Sequence, residues 1–332
     1  MAFLLNDMED VKKIFKEIKD PIFYVANNSD KGVGLEKIIA NYHIVCIDYF
    51  DEVEYLRKAG INVFCLEKQK NKQNIIFRNT GLLMKEKEVI DYIEQNSGKK
   101  ANILIFKPSL MIEKACRKNN WRLLNNPYHD SEKFENKLNF YKIARSLGLL
   151  IPRTEELAID KITYSDLKKN YSDFVIQLGK GFAGITTFFI KSEEDYLRFK
   201  KRNKSSVVKV SEFIRGLPLT INACVTKHGI VIGAPCYQIT GESICTNSPS
   251  TTCGNDWKIY NEKLKITYLS IAEITKKVGE YLKANGYKGI FGLDLIFEPV
   301  TGKIYLIECN PRLIASIPAA TKLEIAAGKI PL

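Results

Sequence analysis

Near the C-terminal end of the chain, two strand-length apolar runs, Gly292–Phe297 and Ile304–Asn310, flank a Thr301-Gly302 turn. This spacing predicts a β-hairpin or a close strand pair. Each run carries a carboxylate within an otherwise apolar stretch: Asp294 in the first and Glu308 in the second. Side chains alternate across a strand, so Glu308 and Asn310 share one face and Cys309 takes the other. A lone carboxylate in such a setting is costly and needs a partner or a metal. Magnesium fits, because it takes hard oxygen ligands and keeps positions open for phosphates. Arg312, two residues past Asn310, carries the fork that grips phosphate or carboxylate in a bidentate pair. An edge hairpin with solvated acids is the competing reading. An acid, an amide and an arginine converging at the end of the second run favour the metal site.

The rest of the chain narrows the class. Its 332 residues are enough for two or three packed units. At 45% hydrophobic and 27% charged residues it has the composition of a globular protein. No run of eighteen apolar residues suggests a membrane span, and Met1–Lys13 has no apolar core of the secretory kind, so a cytoplasmic location is expected. The eight cysteines include no C-x-x-C pair, and several sit in apolar runs such as Ile44–Ile47. Reduced structural thiols are expected rather than a zinc site or a disulfide framework. The net charge of +12 raises the question of nucleic acid. The lysines are spread along helical stretches with no nucleic-acid-reading motif, and a basic balance also suits a protein that binds small anionic ligands. Neither nucleic acid nor membrane is an expected partner.

Strand and helix patterns alternate through the first third. Strands are predicted at 21–26, 43–48, 61–66 and 102–106, with helices reaching Lys58 and covering 86–96 and 109–120. This order implies a parallel sheet with helices on its faces. The loop Gly32-Val33-Gly34 resembles the start of a dinucleotide fingerprint, but Lys37 stands where its last glycine belongs. Further on, Phe140, Ile143, Ala144 and Leu147 share a helical face that ends at Gly148, with Pro152 beyond. Two apolar strands, 174–177 and 185–190, then bracket a turn with Gly179, Gly181 and Gly184, where backbone N–H groups can cradle phosphates without obstruction by Cβ atoms. The stretch 240–257 is rich in Ser, Thr, Asn and Gly and is expected to be a substrate-side loop, with Asn255 and Asp256 as candidate contacts.

The run from Gly289 to Thr321, with the Lys137 helix and the glycine turn upstream, resembles the ATP-grasp superfamily, specifically its biotin carboxylase and carbamoyl-phosphate synthetase-like branch. The likeness spans roughly residues 130 to 318. It implies that Asp294, Glu308 and Asn310 hold magnesium, with manganese as the alternative ion. It also implies that Arg312 and Asn310 act at the reacting groups and that Lys137 contacts an ATP phosphate. The strand before the glycine turn usually carries a phosphate-binding lysine, and Gln177 stands there, so Lys180 is expected to reach over in its place, beside Gly181 and Gly184. Glu212, Phe213 and Ile214 match the hinge that packs against adenine, and Pro218 stands where relatives often place a ribose-binding acid.

The implied fold class is α/β, with α+β character in the lid. A Rossmann-like pre-ATP-grasp domain at 1–125 is expected to precede a connecting helical segment at 126–152, a mobile lid subdomain at 153–209 and a C-terminal catalytic subdomain at 210–332. The implied activity is that of an ATP- and magnesium-dependent ligase, which activates a carboxylate as an acyl phosphate for attack by an amine or another nucleophile. Its partners would be small carboxylates and amines, and a homodimer is compatible with this. A bicarbonate-activating carboxylase and an ATP-binding module without catalysis are the alternatives.

Overall fold

The computed structural model describes residues 8–97, 100–180, 186–203, 206–258 and 262–332. Two compact units emerge: residues 1–128 together with 312–332, and residues 129–311. The last stretch, expected to continue the catalytic subdomain to 332, therefore groups with the N-terminal unit from Arg312 onward.

In the first unit five parallel strands form one sheet: β1 (Ile22–Val25), β2 (Tyr42–Cys46), β3 (Asn62–Cys65), β4 (Asn102–Ile105) and β5 (Arg122–Leu123), in the order β3-β2-β1-β4-β5. Alternate residues feed two cores. Phe23, Val25, Val45 and Phe64 pack on one face, and Ile22, Tyr24, Ile44, Cys46, Val63 and Cys65 on the other. Both faces are covered, which is why these strands read as unbroken apolar runs. The Gly32–Gly34 loop serves packing and turning. A Cβ on Gly32 would lie 2.6 Å from the Tyr24 ring, and Gly34 has φ of 115°.

The second unit holds two antiparallel sheets. The smaller contains β6 (Thr154–Ala158), β7 (Phe174–Leu178), β8 (Thr187–Ile190) and β9 (Val207–Glu212), ordered β6-β9-β7-β8. One face buries Phe174, Ile176, Ile190, Val208 and Val210 with residues of the helices Tyr164–Asn170 and Glu193–Arg202. The register fixes the other face. Glu156 opposes Lys209, Lys209 opposes Gln177, and Gln177 opposes Thr187, giving a polar row across all four strands.

The larger sheet holds β10 (Leu217–Thr226), β11 (Gly229–Ile232), β12 (Cys236–Thr240), β13 (Thr252–Asp256), β14 (Gly289–Glu298) and β15 (Lys303–Asn310). Its path is β13-β12-β10-β14-β15, with β11 paired to β10. Leu219, Ile221, Phe291, Leu293, Leu295, Leu306 and Cys309 point to a core shared with Phe140 and Ala144 of helix Lys137–Ser146 and with Val278 and Leu282 of helix Glu262–Ala284. Strand β13 corrects the expected loop at 240–257: residues 252–256 pair with β12, which leaves the connection at 241–251.

Candidate active site

The predicted hairpin is present as β14 and β15, and its register brings the predicted acids together. Asp294 opposes Glu308, and Gly292 opposes Asn310. The next pair is Leu295 with Leu306, so Ile307 is an extra residue on β15, a β-bulge beside the acids. Leu293 and Cys309 enter the core, so Asp294, Glu308 and Asn310 take the opposite face. On the neighbouring strand β10, Thr220 opposes Asp294, and its hydroxyl donates to the Leu293 carbonyl at 3.2 Å.

The electrostatics of the acid pair are unequal. Burial, followed by repulsion from Glu308, pushes the Asp294 carboxyl up to about 7. The Asn310 side chain donates to its Oδ2 at 3.0 Å. Burial works to raise Glu308 as well, but the adjacent Lys137 ammonium, helped by the charge of Lys209, holds Glu308 down at about 2. Lys137 Nζ lies 2.7 Å from Glu308 Oε2, with the lysine side chain 5% exposed and the glutamate 20%. Burial tends to lower the Lys137 pKa, but the charge and hydrogen bond of Glu308, with the nearby Glu135 and Asp294 charges, together raise it.

Local structure explains how Lys137 arrives there. Asn136 caps the helix Lys137–Ser146, its side chain accepting from the N–H groups of Leu138 and Asn139. The Lys137 N–H donates to the Gly179 carbonyl at 3.0 Å, which fastens the helix start to the end of β7. A Cβ on Gly179 would meet the Leu138 side chain at 3.0 Å, so this glycine allows the close approach.

A residue that the sequence did not single out completes the cluster. Lys209, 3% exposed on β9, donates to the Ile307 carbonyl at 3.4 Å. Burial lowers its pKa to about 8, against the pull of Glu308. Its only sequence signal is a lysine inside the apolar run Val207–Val210, and its relation to Gln177 becomes visible only through strand register.

The other predicted positions divide. Gln177 is buried and donates to Thr187 Oγ1 at 3.1 Å. Lys180, expected to reach in for Gln177, is 72% exposed and ion-paired with Glu132. Lys137, expected on a phosphate, is the counter-ion of Glu308 in this structure. Gly181 and Gly184 lie outside the described residues. At the expected hinge, the Glu212 N–H donates to Arg153 and the Phe213 N–H to Asp173, so both are bonded within the protein. Ile214 is buried, while Phe213 is 39% exposed and sets its ring edge-on to Phe189. Asn255 donates to Cys236 Sγ, and Asp256 accepts from the Lys258 N–H. Arg312 belongs to the N-terminal unit, its guanidinium 5.1 Å from the Phe106 ring centre.

Two carboxylates, an amide and two lysines form a constellation suited to a divalent cation and phosphate oxygens. Among the described residues, no group of three or more His, Cys, Asp or Glu side chains forms a metal cluster. The donor set at Asp294, Glu308 and Asn310 nevertheless fits magnesium, a hard ion commonly held by one or two carboxylates that completes its shell with water and phosphate.

Comparison with known proteins decides the family, since residues 134–316, more than half of the chain, match the ATP-grasp domain. The chain belongs to the ATP-grasp family. Solved structures agree at the level of fold. An N5-carboxyaminoimidazole synthase from Aspergillus clavatus, in complex with ADP and 5-aminoimidazole ribonucleotide, gives a TM-score of 0.58 at 12% identity, covering 90% of this chain and 71% of that one. An L-amino acid ligase from Bacillus licheniformis gives 0.56 at 15% identity, covering 95% and 75%. A pyruvate carboxylase from Rhizobium etli gives 0.63 at 13% identity, covering 92% of this chain and 27% of that much longer one. No curated protein matches significantly. The expected α/β ATP-grasp fold, and the expectation of an ATP-grasp enzyme, stand at the level of the family. No helix among the described residues is long and apolar enough to cross a membrane.

Proposed function

We propose that this ATP-grasp protein is an ADP-forming ligase that activates a carboxylate as an acyl phosphate and passes the acyl group to an amine. The observation that carries the reading is the part-buried cluster of Glu308, Asp294 and Asn310 on one face of β14 and β15, with Lys137 ion-paired to Glu308. Family membership supplies the nucleotide. The carboxylate neighbours suggest the reaction class, since an amino acid ligase and a synthase crystallised with ADP share the fold.

In this reaction a substrate carboxylate oxygen bonds to the γ-phosphorus of ATP, and the bond between that phosphorus and the bridging oxygen breaks, releasing ADP. The amine then attacks the acyl carbon, phosphate departs with the bonding electrons, and the amine loses a proton. Magnesium, when bound, neutralises phosphate charge and orients the transferring group. Asp294, Glu308 and Asn310 would hold it. Lys137 keeps Glu308 ionised, ready to act as a ligand without first losing a proton. Arg312 would meet the carboxylate or the activated acyl group, and the backbone at Gly181 and Gly184 the phosphates. Glu212, Phe213 and Ile214 would border the adenine.

The test is carboxylate-dependent ADP release, with hydroxylamine present to trap acyl phosphate as a hydroxamate. Hydroxamate forming with one carboxylate class, in step with ADP, is the expected result. ADP release stimulated only by bicarbonate would favour the carboxylase reading. ATP binding with no turnover across amino acids, other carboxylates and bicarbonate would mean a binding module.

A further inference from the structure

Lys209 is an unusual group to bury. Its side chain is 3% exposed, yet among the described residues its ammonium makes one hydrogen bond, to Ile307 O at 3.4 Å, and no ion pair. An ammonium has three donors, and removing it from water without a full set of partners is costly. The other nearby cations are committed. Lys137 is held by Glu308 at 2.7 Å, and Lys180 points outward to Glu132. Lys209 lies directly opposite Gln177 across β9 and β7, so the two side chains leave the same face side by side. That face is polar along its whole row, and the carbonyl that Lys209 touches belongs to the bulge residue next to Glu308.

We propose that Lys209 is the cation that receives the phosphates of the nucleotide, supplying from β9 the positive charge that Gln177 does not supply from β7. The inference rests on the ligase reading above, because it needs a nucleotide at the Asp294–Glu308 end of the site. A phosphate oxygen beside the ammonium completes its hydrogen bonds and supplies its missing counter-charge. Gln177, its amide donating to Thr187, is left as a neutral neighbour that avoids crowding two ammonium groups. Strand pairing makes the two positions exchangeable: a lysine at 177 and a glutamine at 209 put the same charge one strand over.

The experiment measures Mg-ATP, Mg-ADP and adenosine binding to the full chain by calorimetry, for wild type, Lys209→Gln and the double variant Gln177→Lys/Lys209→Gln. Losing a charge-assisted hydrogen bond to phosphate predicts about ten- to a hundredfold weaker ATP and ADP binding in Lys209→Gln, with adenosine unchanged. The double variant should recover most of that loss. Lys209→Met, apolar and of similar length, carries the same expectation if the glutamine variant does not fold. Unchanged ATP affinity in either single variant overturns the proposal, as does an equal loss for adenosine, which marks a structural lysine. Failure of the exchange to recover affinity overturns the claim that the two positions are equivalent. If the wild type itself binds no ATP, the ligase reading falls, and this inference with it.

Discussion

Replacing Lys137 by methionine removes the cation that keeps the acid pair tolerable. The ion pair is short, 2.7 Å, and sheltered, with only 5% of the lysine side chain exposed. Methionine fills much of the space but leaves Glu308 facing Asp294 with only the charge of Lys209, which makes no ion pair with it, to offset theirs. Breaking a buried pair by removing one partner costs about 3–5 kcal/mol, a large part of the roughly 5–15 kcal/mol that holds a typical fold together. The cost should appear locally, so the assay is hydrogen exchange of the β14 and β15 amides at pH 7.5 without nucleotide. The loss should be mostly reversed by adding Glu308→Gln, which removes the stranded charge. It should also shrink with acid. In the wild type Glu308 is held near 2, below its ordinary 4.5, so its stabilising contribution is full above 4.5 and fades as the pH falls toward 2. Without Lys137 both carboxyls take up protons at higher pH, and the deficit narrows before the wild type starts to weaken. A loss under 1 kcal/mol, or one that Glu308→Gln leaves untouched, refutes the account of the cluster.

Lys209 gives the opposite pH signature. Its folded value is lowered, from 10.5 to about 8, so the buried charge costs stability below pH 8, and the cost disappears as pH rises toward 10.5. That gap corresponds to about 3 kcal/mol at 1.36 kcal/mol per unit. Nucleotide-free Lys209→Met should therefore be more stable than wild type at pH 7 by up to that amount, with the advantage fading by pH 10 in urea unfolding; a pH-independent difference contradicts this. Gly216→Ala places a Cβ 2.3 Å from the Phe297 carbonyl oxygen, a backbone atom with little room to yield. The alanine variant should lose about 2–3 kcal/mol of stability in the same assay, near the upper end of the overpacking range, and a neutral effect would show that β10 and β14 can separate there.

How much of this the chain reveals before folding depends on whether a signal is local. The parallel sheet of the first unit was legible because its strands are continuous apolar runs between helical periods, as at Phe23–Val25 and Ile103–Ile105. The hairpin carrying Asp294, Glu308 and Asn310 was legible because acids in an apolar strand stand out. Strand β13 was not, because Thr252–Asp256 is polar and lacks alternation, and it pairs through a register shift at Ile239 and Thr240. Lys209 was hidden for another reason. Its environment is set by β7, β6 and the bulge at Ile307, separated from it by tens of residues in sequence. The position of Lys137 is legible in the sequence but its counter-ion is not, since the Glu308 contact joins residues far apart in the chain. The placement of Lys180 on Glu132 turned on the same kind of non-local contact.

The central claim is that Asp294, Glu308 and Asn310 hold the ion that brings ATP to this protein. Calorimetric titration with ATP, with magnesium and then with a chelator in its place, on wild type and Glu308→Gln, tests it most directly. The account predicts binding that requires magnesium in the wild type and is lost or greatly weakened by the substitution, with the fold unchanged by circular dichroism. ATP binding that is indifferent to magnesium, or equal in the two proteins, would contradict it.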